Sequence, residues 1–329
     1  MRSAAVASVF LVAGALAVTV APEAFFTYVL VGICINALLA VSVRLVLLIG
    51  EVNLAAAAFF GIGAYAAAVL TVDMHMPSLA AIATGALFAA VAAFVFGAIT
   101  LGTTGAYFLL ITFAFTEVIR LIYTQTDSIG GNSGIVGIVP DFDWLPTLVV
   151  VVTVLVIYAL YRLEQSRYGT VMRAVEGHTT LAECLGFRTR LVKTAVFSLA
   201  CAVAGLAGGL YANFNVVISP GDFGFMVSIY AIAWLVIGGR GHILGPVLGA
   251  ATLTILAQAL QGFGDYDKVV YGLALIIGTL VLPGGLWGLL TAAVRMVMPT
   301  RPTSTPDRPL PTHGQQDEGS SKTIDQGAA

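Results

Sequence analysis

The sequence predicts an all-α, polytopic membrane protein: about ten transmembrane helices in one bundle, with a short helix on the cytoplasmic side. Three observations carry this prediction. First, 59% of the 329 residues are hydrophobic and only 10% charged, with a mean hydropathy of +0.97, where a soluble domain carries about 25% charged residues. Second, apolar runs of the length that crosses a bilayer, roughly 20 residues, recur along the chain. Third, the basic residues are distributed with a strong bias to one side of those runs. A folded chain of about 300 residues still exposes about a quarter of its unfolded surface, so this much apolar surface needs lipid as its solvent. A water-soluble enzyme is excluded. The formal net charge of -2 and pI near 6.1 leave no basic excess for nucleic acid.

Breaking the chain at charges, prolines and glycine clusters gives spans near 4–20, 25–43, 52–71, 79–101, 105–123, 145–161, 192–214, 223–238, 243–260 and 269–290. The first also resembles a signal peptide, with Arg2 ahead of the apolar run and small residues near Ala21. Its run is longer than a typical signal core, which favours a retained helix. With both termini cytoplasmic, only Arg120 and Lys268 of the 15 basic residues fall on the outer side. Inner segments hold the rest, and acids such as Asp73, Asp127, Asp141 and Asp222 gather outside. The transmembrane domain is therefore 1–298. After Met298 the composition turns to Pro, Thr, Ser, Gln and Gly with no apolar period, which reads as a disordered cytoplasmic tail over 299–329.

Two polar segments are long enough to act. The outer one, 124–144, contains Gly130, Gly131, Gly134 and Gly137, and its Phe142 and Trp144 suit the headgroup layer. The inner one, 162–193, carries a helix signature: Thr180-Leu181-Ala182-Glu183 fits a capping box and Gly186 supplies a stop. Leu181, Cys184 and Leu185 would share one face of this helix. A helix so short does not persist alone. Either a partner protein covers it or it is a solvated connector on the membrane surface.

Helix contacts in lipid rely on small residues. Gly205 with Gly209, Gly245 with Gly249, and Gly284 with Gly288 have the required spacing. Gly61 and Gly63 mark either a packing face or a broken helix lining a cavity. Ionisable residues at membrane depth are functional candidates by default. Glu117 qualifies, about 12 residues and some 18 Å into its span, with Arg120 three residues later on the same face; a structural ion pair with Arg120 reaching outward is favoured over a substrate contact. Asn53, Tyr65, Tyr107 and Thr112 join Glu117 as candidate lining of a translocation path. Asn36, Asn213 and Asn215 are further polar groups expected to face the interior.

No catalytic constellation is legible. The cysteines Cys34, Cys184 and Cys201 and the histidines His75, His178, His242 and His313 are dispersed without ligand spacing, so no metal or cofactor is expected. No GxxxxGK[ST] loop occurs. If ATP is used, another subunit binds it.

Four stretches carry a resemblance: Ala58-Phe59-Phe60-Gly61-Ile62-Gly63-Ala64-Tyr65; the run from Tyr107 to Glu117; the inner segment from Arg167-Tyr168-Gly169 to Glu183-Cys184-Leu185-Gly186; and Gly238-Gly239-Arg240-Gly241 to Gly249-Ala250. In order and spacing the sequence resembles the permease subunit of branched-chain amino acid ABC importers, the longer-chain member of the permease pair. The resemblance implies a bacterial inner-membrane pore half that pairs with a homologous second permease. It implies two ABC ATPase subunits on loop 162–193, holding ATP and magnesium, and an external substrate-binding protein. By position, Thr179, Thr180, Leu181, Ala182, Glu183, Cys184, Leu185 and Gly186 would form the coupling helix in an ATPase groove. The family usually shows Ser-Leu-Gly-His where this chain has Asn53-Leu54-Ala55-Ala56, a polar Asn at Arg44, and an acid at Tyr230. These departures leave the substrate open to other amino acids, urea or short-chain amides. An ion-coupled transporter using Glu117, or a structural membrane subunit, are the readings of a different class.

Overall fold

The computed structural model describes residues 24–142, 144–260, 270, 272, 273, 275, 276, 278 and 285–289. The expected first span, most of the tenth, Gly284 and the tail 299–329 lie outside the described residues. The helices are α1 (Ala24–Leu47), α2 (Ala56–Val72), α3 (Ser78–Thr100), α4 (Ala106–Gln125), α5 (Leu145–Glu164), α6 (Arg167–Gly177), α7 (Thr179–Cys184), α8 (Thr189–Asn215), α9 (Phe225–Gly238) and α10 (Leu244–Leu260). Among the described residues, α1, α3, α4, α5 and α8 are long and apolar enough to cross a membrane, while α2, α9 and α10 are shorter apolar helices. A membrane-embedded all-α bundle is the architecture.

Helix α8 is the spine, packing against α1, α2 and α3. Glycine makes this approach possible. A Cβ on Gly63 would land on the Gly205 backbone, one on Gly208 on the Phe60 carbonyl, and one on Gly205 on the Ala89 methyl. A Cβ on Gly209 would stand 3.3 Å from the Ile82 Cα. The α9–α10 contact is built the same way: a Cβ on Gly245 would meet the Gly239 carbonyl, and one on Gly249 the Trp234 carbonyl. Gly61 and Gly63 therefore lie inside a continuous α2 and serve packing. The outward face of α3 exposes Leu87, Phe88, Val91, Phe94 and Val95, an apolar surface suited to lipid.

The chain is non-helical elsewhere than the glycines suggest. Residues 52–55, expected in the third span, are irregular, with Val52 exposed and Asn53, Leu54 and Ala55 buried. Asn53 Oδ1 accepts from Ala55 N at 2.8 Å, a local side-chain bond that competes with the helical one.

Two ends of the bundle are distinct. At one, the C-termini of α1, α3 and α5 meet α6, α7 and the N-terminus of α8. At the other, β1 (Ile135–Val136) pairs antiparallel with β2 (Val217–Ile218). Val216 ends α8 at φ +65°, and its carbonyl accepts from Gly137 N and Ile138 N, each at 3.1 Å. Asp141 Oδ2 accepts from Ser78 N at 2.9 Å and so caps α3. Phe142 and Trp144 stack at 4.5 Å.

Gly63→Val should destabilise the bundle by about 1–3 kcal/mol, because the Gly205 backbone cannot move aside cheaply. Gly102→Ala, whose Cβ meets nothing within 4 Å, should change stability by less than about 0.5 kcal/mol. Thermal unfolding of the two purified variants checks the contrast; equal effects would contradict the packing analysis.

Candidate translocation and coupling site

The irregular segment before α2 is a buried polar crossroads. Its backbone cannot bond to water there, so side chains must serve it. Leu54 N donates to Thr112 Oγ1 at 3.3 Å, and Leu54 O accepts from Thr116 Oγ1 at 2.9 Å and Ser228 Oγ at 2.6 Å. Ser228 Oγ also accepts from Ala57 N at 2.9 Å, filling one of the free donors at the start of α2. Helices α4 and α9 are thus both pinned to the segment.

A buried ion pair anchors its other end. Lys193 Nζ donates to Glu51 Oε1 at 3.0 Å with the two side chains only 7% and 3% exposed, and Glu51 Oε2 accepts from Gly105 N at 3.2 Å. Charges this well buried persist only when paired and hydrogen-bonded. A second buried pair, Arg44 with Glu164, ties α1 to α5. Arg44 Nε also donates to Arg240 O at 3.3 Å, adding the α9–α10 turn. Beside it His242 stacks on Trp287 at 4.4 Å and accepts from Leu244 N through Nδ1 at 3.2 Å. Burial, with Arg44 adding to it against the opposing pull of Glu164, lowers the His242 pKa below its ordinary 6.5. That direction favours the neutral imidazole, the form in which Nδ1 can accept.

Helix α7 projects from this same end. Ser166 caps α6 by accepting from Tyr168 N at 3.2 Å, and α7 follows after His178. The expected Thr180–Glu183 capping box does not form: His178 is the N-cap and no side chain caps it. Glu183 instead accepts from Thr189 Oγ1 at 2.6 Å, a bond that joins α7 to the first turn of α8 and leaves no carboxylate for the helix start. The stop is a Schellman turn. Phe187 N donates to Ala182 O at 3.1 Å and Gly186 N to Glu183 O at 2.9 Å, with Gly186 at φ +87°, a backbone state that glycine takes without strain. Ala182 is buried, while Leu181, Leu185 and Phe187 are exposed by 59%, 68% and 40%. Three large apolar groups thus stand out of a polar segment.

Of the candidate lining residues, Asn53 and Thr112 meet at the crossroads. Tyr65 lies further along α2, stacked on Tyr123 at 4.1 Å and edge-on to Phe223. The Tyr65 and Tyr123 hydroxyls are buried without a hydrogen-bond partner among the described residues. Tyr107 is 75% exposed at the start of α4 and joins neither group. Glu117 Oε2 accepts from both Arg120 Nε at 2.9 Å and its NH2 at 2.8 Å. Asn36 donates to Thr254 Oγ1 at 2.9 Å, Asn213 to Gly209 O at 2.9 Å and Asn215 to Tyr211 O at 3.1 Å. Sequence reasoning missed Thr116, Ser228 and the Glu51–Lys193 pair. The four-residue spacing of Thr112 and Thr116 was a usable signal; nothing in the sequence links Glu51 to a lysine 142 positions away.

Lys193→Met should cost about 3–5 kcal/mol, since it strands the Glu51 carboxylate in a dry site. The double variant Glu51→Gln/Lys193→Met should recover most of that loss. Unfolding of the single and double variants in one detergent measures the coupling, and strictly additive effects would contradict a buried pair.

A family model described as the permease component of branched-chain amino acid transport systems matches residues 25–280. The chain is 25% identical over 292 residues to the high-affinity branched-chain amino acid transport system permease protein LivM of Escherichia coli, covering 79% of this chain and 67% of that one. It is 36% identical over 142 residues to LivH of the same organism, covering 42% and 46%. The ribose import permease protein RbsC of Escherichia coli is 26% identical over 267 residues, covering 75% and 82%. No solved structure matches the chain. With the membrane bundle described above and a family model spanning most of its length, this chain belongs to the family of permease components of branched-chain amino acid transport systems.

Proposed function

We propose that the chain is one membrane half of an ATP-driven importer in the bacterial inner membrane, carrying amino acids with apolar side chains inward. On this reading a homologous permease completes the pore and a substrate-binding protein delivers ligand from outside. Two ATPase subunits supply the nucleotide chemistry, and both termini lie in the cytoplasm. The observation that carries the reading is α7: a six-residue helix at the cationic end of the bundle, closed by a Schellman turn, with Leu181, Leu185 and Phe187 uncovered. Large apolar groups clustered on one short element and rimmed by polar residues mark an interaction surface. An apolar groove in an ATPase is the partner that fits, and the family makes the ion-coupled alternative the less favoured one.

The polar contacts supply a mechanical route from that handle to membrane depth. Movement of α7 pulls on Thr189 through Glu183. Lys193, one turn later on the same face of α8, carries the pull to Glu51 and hence to the irregular segment. There Leu54 is bonded to α4 and α9 together, so a shift of the segment repositions both helices. Rigid elements joined by buried polar contacts have discrete arrangements, which is what alternating access needs.

Leu185→Asp should lower ATP-dependent leucine uptake at least tenfold in vesicles, with the variant present in the membrane at its ordinary level and its ATPase subunits no longer co-purifying. Uptake within twofold of the unaltered protein would overturn the docking reading.

A further inference from the structure

Helix α4 carries a charged stripe that the packing above leaves partly open. Glu117 lies about 17 Å along the helix from Ala106, taking 1.5 Å per residue, which places it deep within a span of 20 residues. Its side chain is 25% exposed and that of Arg120 is 36% exposed. Two charges at this depth cannot be left facing hydrocarbon, where ionised groups are held only by a partner or a water-filled cavity. The neighbouring α4 residues that do face the bundle, Thr112 and Thr116, are fully buried and committed to Leu54. The Glu117–Arg120 stripe therefore borders the crossroads on a side that opens away from the bundle's own core.

The stripe has an apolar wall. Phe113, four residues before Glu117 and so on the same helical face, meets Phe225 at the start of α9 with centroids 5.1 Å apart and rings at 81°. The Arg120 stem passes Gly224, its Cδ 3.6 Å from where a Cβ would stand. Nε and Nη2 of Arg120 converge on Oε2 of Glu117, so Oε1 is the acceptor an incoming ammonium would meet. A carboxylate, a guanidinium and the Phe113 ring thus share one face of α4, with the Phe225 ring of α9 against Phe113.

We infer that this stripe reads the zwitterionic backbone of a passing amino acid. Glu117 accepts the α-ammonium, Arg120 donates to the α-carboxylate, and the apolar side chain rests on Phe113 and Phe225. The ammonium and carboxylate of an α-amino acid leave the same carbon, so they fit an opposed pair of charges whose own contact is 2.8 Å by adding a second, reversed pair beside it. Such a square of four charges conserves net neutrality throughout, which makes it tolerable at depth and easy to leave. A ligand with only one of the two charges would leave a protein charge uncompensated. The inference rests on the reading of this chain as an amino acid permease and names the residues that recognise the substrate's backbone.

The test uses the complete transporter in proteoliposomes, with radiolabelled leucine uptake and ATP hydrolysis measured on the same vesicles. Glu117→Gln and Arg120→Gln should each lower leucine uptake at least tenfold while ATP hydrolysis persists. The exchanged chain, Glu117→Arg with Arg120→Glu, keeps an internal ion pair and should assemble with ATP hydrolysis intact. It should still transport leucine at least tenfold more slowly, because the reversed charges turn the side chain away from the aromatic wall. Uptake restored by the exchange would show a purely structural pair and overturn the inference. Phe113→Ala decides the matter independently of whether the exchanged chain assembles: leucine uptake should fall at least fivefold relative to alanine uptake, and an unchanged ratio would overturn the inference. Unaltered vesicles that take up leucine without hydrolysing ATP would instead contradict the importer reading itself.

Discussion

The backbone of residues 51–55 has to be satisfied where no water reaches it, and that constraint organises the structure. A helix would satisfy itself; this stretch does so only at Ala55 N, which donates to Asn53 Oδ1, and its Glu51 and Leu54 groups are answered from other elements. Lys193 of α8 holds Glu51, Gly105 at the head of α4 takes the second carboxylate oxygen, and the Thr112, Thr116 and Ser228 hydroxyls serve Leu54. Irregular backbone at membrane depth is tolerated only under such conditions. Its presence identifies the place where the bundle has traded local stability for convergence of helices.

The remainder of the fold is arranged around that convergence. Glycine contacts lock α2 and α3 to the α8 spine, giving a rigid block on one side of the segment. The α9–α10 unit is held by its own glycine contacts and by the Arg44–Glu164 pair with its link to Arg240. Helix α4 meets these through hydroxyl groups and a few aromatic contacts instead of interlocking glycines. Hydroxyl bonds can exchange partners in a small displacement, whereas interdigitated backbones cannot, and packed cores shift between discrete states. The expected division of labour is a stiff α2–α3–α8 block with α4 and α9 as the parts that answer to α7.

The sequence was most informative where hydrophobicity and glycine spacing act alone. Runs of apolar residues located the eight apolar helices of the described region in order, because span length is a property of the bilayer. Gly205–Gly209 and Gly245–Gly249 were legible because close approach needs a missing side chain. It was least informative where polar groups meet across long separations. Arg44 was read as a flanking charge and as a departure from the family pattern; its partner Glu164 lies 120 positions away, and no spacing rule reaches so far. The third span was drawn four residues too long at its start because Val52, Leu54 and Ala55 are apolar, and apolarity cannot distinguish a helix from a buried irregular turn. The α7 capping box failed for a related reason: Glu183 had a better partner in Thr189 than the backbone behind it.

The account depends on α7 being gripped from the cytoplasm by a nucleotide-driven partner. Cys184, exposed within α7 while Cys34 and Cys201 are buried, provides a native attachment point. The most direct measurement is thiol-specific cross-linking at Cys184 in intact membranes, followed by mass spectrometry of the captured chain. The account predicts a single adduct with a protein bearing a P-loop, whose yield changes when ATP is added. A Cys184 that labels freely with water-soluble reagents in assembled membranes and forms no adduct with a nucleotide-binding protein would contradict it.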